Sequence, residues 1–352
     1  MHANHKKIIF PVYGNALPFF AAGVDVTRNN LAFVLAEKNY QVLCLGHFSG
    51  TQALDVTAMA SYIAYLNEWN IKWKLVDQCE LHYQYKGVAC IVTFEEKFYS
   101  LLDKIVEKND VVFVLNKQSA KMVEAMNLKG AVTVAWVTDA VAERKSLYKA
   151  NPQYLLYNSQ AMADFGAQFH NREFHILNSP FLRPEKVVPY QYKQNVITLI
   201  NPIEKKGVET FLQLSERLPN YLFYAVESWR SVSLGEKYLQ KNVRYFHRQL
   251  DMTPIYNATK ILLYPSHFNE GPGRAVIEAG LHGVPSIVSN NGSLPEALGG
   301  GGIVLKTFDV QDWLQAILDL ENNYAKFSYE AMLSAQRYQI DFEKELQRIG
   351  VL

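Results

Sequence analysis

The 352 residues are 49% apolar and 20% charged, which excludes a disordered chain and allows more than one packed core. Lysine plus arginine number 35 against 34 for aspartate plus glutamate, so no global basic field exists and nucleic acid is excluded as an expected partner. The three cysteines, Cys44, Cys79 and Cys90, show no paired spacing, which argues against a disulfide framework and a structural zinc site and suits a reducing compartment.

The polar stretch 1–7 runs straight into Ile8-Ile9-Phe10 and lacks the apolar core and small-residue cleavage site of a secretory leader. No apolar run reaches the roughly 20 residues that span a bilayer. The expectation is a cytoplasmic protein, with peripheral contact at the inner face of a membrane left open.

Short β-branched runs predict strands over 7–12, 41–45, 72–76, 110–115, 132–137 and 154–157. Amphipathic patterns predict helices over 26–38, 53–68, 94–108, 118–126 and 160–168. The runs 81–85 and 88–93 flank Lys86-Gly87 and predict an inserted hairpin. Between 180 and 195, Pro180, Pro184 and Pro189 break the rhythm as an interdomain linker would. A second series follows, with strands over 196–200, 222–226, 243–246, 261–264 and 285–288 and helices over 208–218, 274–282 and 309–320. The stretch from 324 onward reads as helical. This alternation predicts an α/β architecture of two Rossmann-like, doubly wound domains, 1–190 and 191–330, facing each other across a cleft, with 331–352 packing back toward the first.

The densest chemistry lies between Tyr264 and Pro285. A buried strand gives way to a loop holding Gly271 and Gly273, and a helix opens near Gly273. The first amides of such a helix have no internal partner and sit at its positive end, so strand, glycine loop and helix start make a site for a diphosphate. Glycines at 271 and 273 let backbone approach the ligand. Ala275, Val276, Ile277, Ala279 and Leu281 make the helix apolar on nearly every side, so Glu278 is expected to be buried within it. A carboxylate there needs partners, and two ribose hydroxyls would serve as well as a salt bridge to a basic residue. Glu270 alone reads equally as a solvated loop residue, and His267 and His282 read as structural histidines.

The run Pro265-Ser266-x-x-x-Glu270-Gly271-Pro272-Gly273-Arg274-x-x-x-Glu278-Ala279, followed by Gly283-Val284-Pro285, resembles the signature of glycosyltransferase family 4, retaining enzymes of the GT-B fold. Asp251-Met252-x-Pro254-Ile255-Tyr256 before it and Asn291-Gly292-Ser293-Leu294-Pro295-Glu296 after it extend the match. The resemblance implies that Glu270 faces the donor sugar and Glu278 the ribose. Asn201-Pro202-Ile203-Glu204-Lys205-Lys206-Gly207 stands where the family has an arginine and a lysine on the donor diphosphate. Lys206 matches the lysine, Asn201 replaces the arginine, and Arg274 or Lys205 is left to compensate. In the first domain Gly23 resembles the family's glycine-rich loop, though it reads equally as a plain turn. Asp139 is the acceptor-side candidate, while Thr138 stands where a histidine is common.

The implied reaction is transfer of a sugar, with retention, from a nucleotide-diphosphate sugar (a UDP-sugar favoured) to an acceptor hydroxyl. Glu270 and Lys206 carry the chemistry. Gly23, Asn201, Lys206, Glu270, Gly271, Pro272, Gly273, Arg274 and Glu278 hold the donor. No cofactor and no metal are expected, since no Asp-x-Asp occurs and cationic side chains can stabilise the leaving diphosphate. The acceptor, whether carbohydrate, lipid-linked or a small molecule, is not legible. A nucleotide-sugar 2-epimerase and a non-catalytic nucleotide-sugar-binding module on the same scaffold remain alternatives. A dehydrogenase is disfavoured, because no Gly-x-Gly-x-x-Gly follows the first strand.

Overall fold

The computed structural model describes residues 6–12, 16–18, 23–48, 56–115, 119–138, 145–181, 184, 187–189, 194–228, 240–249 and 251–352. It divides into two compact units: Met1–Tyr157, Gly166–Pro180 and Asp341–Leu352 in the first, Asn158–Phe165 and Phe181–Ile340 in the second.

In chain order the first part carries β1 (Ile8–Pro11), α1 (Gly23–Glu37), β2 (Val42–His47), α2 (Val56–Glu68), β3 (Trp73–Val76), β4 (Glu80–Tyr85), β5 (Val88–Thr93) and α3 (Glu95–Ile105). It continues with β6 (Val111–Val114), α4 (Ser119–Leu128), β7 (Val132–Val137), α5 (Lys145–Lys149), β8 (Tyr154–Tyr157), α6 (Gln160–Ala167) and β9 (His175–Ile176). Among the described residues these strands form one nine-stranded sheet in the order β3-β4-β5-β2-β1-β6-β7-β8-β9. It is parallel except where β4 pairs antiparallel with β3 and β5. The β4–β5 turn is Lys86-Gly87, with φ of 46° and 78°. Positive φ at both central residues is what a two-residue hairpin turn demands, and the predicted hairpin is there.

The second unit carries β10 (Val196–Ile200), α7 (Val208–Arg217), β11 (Leu222–Val226), β12 (Val243–Phe246), α8 (Thr253–Ala258), β13 (Ile261–Tyr264), α9 (Arg274–Leu281) and β14 (Ser286–Ser289). α10 (Leu294–Leu298), β15 (Gly302–Leu305), α11 (Val310–Asn322) and α12 (Tyr324–Gln336) complete it, and α13 (Phe342–Arg348) lies in the first unit. Its sheet is parallel, in the order β12-β11-β10-β13-β14-β15. Strand alternation sends Ile261 and Leu263 to one face, among Phe211, Phe223, Trp313 and Ile317. Leu262 and Tyr264 go to the other, against α9, Ala335 and Tyr338. Both faces are therefore covered, as a buried parallel sheet requires. The architecture is α/β, two Rossmann-like units each built on a mainly parallel sheet. Among the described residues no helix is long and apolar enough to cross a membrane.

Candidate donor site at the start of the ninth helix

The site is assembled where two loops of the second unit meet. After β10, Asn201 takes a left-handed conformation (φ 62°) and the chain makes a 3-10 turn over Glu204–Lys206 that ends at Gly207 (φ 78°). A Cβ on Gly207 would lie 2.3 Å from the Pro265 carbonyl oxygen. Glycine is thus needed twice here, for the backbone angle and for the close approach of the two loops. That approach delivers Lys206 to the loop between β13 and α9.

Lys206 and Glu270 are buried and form an ion pair, Nζ to Oε1. Ser266 Oγ donates to the same carboxylate oxygen. Tyr264 OH lies 3.4 Å from Lys206 Nζ and 3.5 Å from Glu270 Oε2. Burial, and then the Glu270 charge, push the Tyr264 hydroxyl well above the ordinary tyrosine range, so it stays protonated and can donate. The loop is braced on every side. His267 N–H donates to the Lys205 carbonyl at 2.9 Å, and Ser293 N–H to the Glu270 carbonyl at 3.1 Å. Ser289 Oγ and Asn291 Nδ2 donate to the Ser266 carbonyl at 2.7 and 2.6 Å. Gly292, also left-handed, passes so close that a Cβ would lie 2.2 Å from the Glu270 oxygen.

Gly273 is the N-cap of α9 in a left-handed conformation (φ 63°), with Gly271 and Pro272 half-buried before it. The helix buries Ala275, Val276, Ile277, Ala279, Gly280 and Leu281, as its composition predicts. Glu278 departs from expectation. Its side chain is 27% exposed, and its oxygens are taken by Arg274 Nη2 at 2.9 Å, one helical turn earlier, and by Tyr256 OH at 2.8 Å. The exposure is the departure, and the Arg274 pair is the salt bridge the sequence left open; at i,i+4 spacing an apolar helix can still turn one residue toward its own N-terminal arginine. Arg274 in turn lies over the Phe181 ring, 4.4 Å from its centroid. Burial and Glu278 raise the Tyr256 hydroxyl well above its ordinary range.

The structure thus brings together Lys206, Glu270, Gly271, Pro272, Gly273, Arg274 and Glu278 on one helix start and its flanking loops. Asn201 is buried (3% exposed), and among the described residues neither polar atom of its side-chain amide has a hydrogen-bond partner, a costly condition for a polar group. Gly23 opens α1 in the other unit and is exposed. Asp139 lies outside the described residues. Among those described, no group of three His, Cys, Asp or Glu side chains is arranged to hold a metal. Sequence reading passed over Ser266, Tyr264 and Tyr256 as ligands of the two glutamates, although all three stand inside the motif and its flank.

A family profile described as "Glycosyl transferases group 1" matches residues 195–323, within the unit that holds the site. The serotype-specific mannosyltransferase WbdA of Escherichia coli is 25% identical over 265 residues, covering 72% of this chain and 30% of WbdA. The O-antigen chain mannosyltransferase B of Escherichia coli is 43% identical over 121 residues, 34% of this chain and 31% of that protein. The matched region thus spans less than a third of the length of these curated relatives. Among solved structures, HepE of Anabaena, crystallised with UDP and glucose, superposes with a TM-score of 0.74 at 13% identity, covering 99% of this chain and all of the other (100%). TarM superposes with a TM-score of 0.71 at 12% identity, over 98% of both chains. At such identities the likeness is one of fold, and the fold is GT-B.

Proposed function

We propose that this chain is a glycosyltransferase that binds a nucleotide-diphosphate sugar at the start of α9 and passes the sugar to an acceptor hydroxyl. The observation that carries the reading is the Lys206–Glu270 pair, two buried charges of opposite sign fixed beside a glycine-opened helix start. Lys206, the first amides of α9 and the Asn201 amide suit the diphosphate, whose negative charge grows as the anomeric bond breaks. Glu270 suits the hydroxyls of the transferred sugar, and Glu278 those of the ribose once Arg274 turns to phosphate.

In this reading the acceptor hydroxyl attacks the anomeric carbon from the face that the diphosphate leaves. The carbon–phosphate oxygen bond breaks as the glycosidic bond forms, and the hydroxyl proton passes to the departing phosphate oxygen. Configuration is retained, no metal takes part, and the work is done in the cytoplasm. A UDP-sugar is the favoured donor, supported by the binding of UDP and UDP-glucose to HepE. The names of the two mannosyltransferase relatives favour mannose as a second reading of the sugar, with a carbohydrate as the acceptor.

The test is a thermal-shift panel of uridine, guanosine and adenosine diphosphates and their hexose conjugates, followed by turnover with simple glycoside acceptors in the presence of EDTA. Binding of one base series and transfer with an NMR-determined retained anomer are expected. Binding without transfer or hydrolysis would favour a non-catalytic module, release of a free 2-epimer would favour an epimerase, and an inverted product would remove the retaining mechanism.

A further inference from the structure

Resting on that reading, we infer that the exposed ring of Phe268 is a stacking platform for a pyranose ring at the mouth of the site. Phe268 is 39% exposed and stands between two buried polar residues, Ser266 and Glu270. Its ring centroid lies 5.7 Å from Lys206 Nζ, and that ammonium is the one bonded to Glu270. The ring therefore stands beside the ion pair.

The loop that carries it is fixed. Phe268 N–H donates to Ser266 Oγ at 3.1 Å, and the same hydroxyl binds the Glu270 carboxylate. On its other side His267 is held by the Lys205 carbonyl and stacks on Phe308, with centroids 3.8 Å apart and planes 22° apart. A phenyl ring on a braced backbone loses less entropy on binding than one on a mobile loop, which suits a stacking surface. One face of a pyranose ring presents C–H groups, and its rim presents hydroxyls. An aromatic face beside a carboxylate and an ammonium matches both chemistries. The ring can belong to the transferred sugar or to the acceptor, and the two are separable by kinetics.

The full chain is compared as wild type, Phe268→Ala and Phe268→Trp, with melting temperatures confirming that all three fold. Thermal shifts by the nucleoside diphosphate alone, KM for the nucleotide sugar, and KM for methyl mannoside or methyl glucoside as acceptor are measured. Phe268→Ala is expected to leave the nucleoside diphosphate shift unchanged and to raise one sugar KM roughly three- to tenfold, with Phe268→Trp restoring it. A rise in the donor KM assigns the platform to the transferred sugar, and a rise in the acceptor KM assigns it to the acceptor. Unchanged values of both, a parallel loss of the nucleoside diphosphate shift, or failure of tryptophan to restore would overturn the platform while leaving the glycosyltransferase reading standing. A wild type that neither binds nucleotide nor turns over removes both.

Discussion

Lys206 and Glu270 neutralise each other with side chains only 11% and 8% exposed, so a diphosphate that takes the lysine must first displace the carboxylate from it. The two residues are in this sense competitors as well as collaborators. Glu270→Gln removes the competing charge while keeping an acceptor for the ammonium. It is expected to bind the nucleoside diphosphate more tightly, by roughly three- to tenfold, and to lose transfer by about two orders of magnitude because the sugar hydroxyls lose their carboxylate. Lys206→Met leaves Glu270 buried without its cation, and the expectation there is a loss of about 3–5 kcal/mol in stability together with loss of nucleotide binding. Calorimetric titration of both variants with nucleotide decides the matter. Weaker nucleotide binding by Glu270→Gln would mean that the carboxylate organises Lys206 for the ligand and does not compete with it.

At the level of elements, the position of α9 depends on a contact that its own motif does not reveal. A Cβ on Gly280 would lie 2.8 Å from the Ala331 carbonyl oxygen and 2.9 Å from Ala335 Cβ, so α12 presses on α9 where there is no side chain. Gly280→Ala forces backbone apart and is expected to cost roughly 1–3 kcal/mol despite alanine's better helix propensity. Because Arg274 and Glu278 ride on α9, nucleotide binding should weaken with it; urea unfolding and thermal shift measure the two effects, and a stabilised variant would show that the helices can separate freely. Much of the scaffold was legible in the sequence because period and β-branched runs report burial directly: β7, β8 and β10 to β13 fall where the patterns predict them. β15 was not legible, since it opens at the end of Gly299-Gly300-Gly301-Gly302, a run that reads as loop. Its Gly302 is in fact required by close pairing, as a Cβ there would meet the Ser286 carbonyl at 1.8 Å. At the site, residue types and spacing revealed Glu270, Lys206 and the helix start. They could not reveal the pairings, because the bonds of Ser266 and Tyr256 to the glutamates depend on χ angles and rim position, and the two ion pairs depend on which neighbour wins a carboxylate.

For the molecule as a whole, the alkaline limit of stability follows from what both units bury. In the first unit, Cys44 and Cys90 face each other in register across β2 and β5, and burial pushes both thiols upward. Beside them Tyr62 and Tyr83 share a hydrogen bond of 2.7 Å and are raised well above the tyrosine range, again chiefly by burial. In the second unit Tyr256 and Tyr264 are raised in the same way, with the motif glutamates adding to the effect. In the unfolded chain thiols lose their protons near pH ~8.5 and phenols near pH ~10, while the folded state keeps both. Above each of these values the folded state binds more protons than the unfolded one, so stability is fully present below them and is lost as pH rises. The loss should begin at about pH 9 with the thiols and steepen beyond about pH 10, where each tyrosine adds about 1.4 kcal/mol per pH unit until it ionises in place. Urea unfolding between neutral and strongly alkaline pH follows this directly. The double substitution Cys44→Ala, Cys90→Ala removes the early part of the slope and leaves the steep part, since the tyrosines remain. A urea midpoint that stays level through the alkaline range, or an onset unmoved by the cysteine substitutions, would show that these buried hydroxyls and thiols do not set the limit.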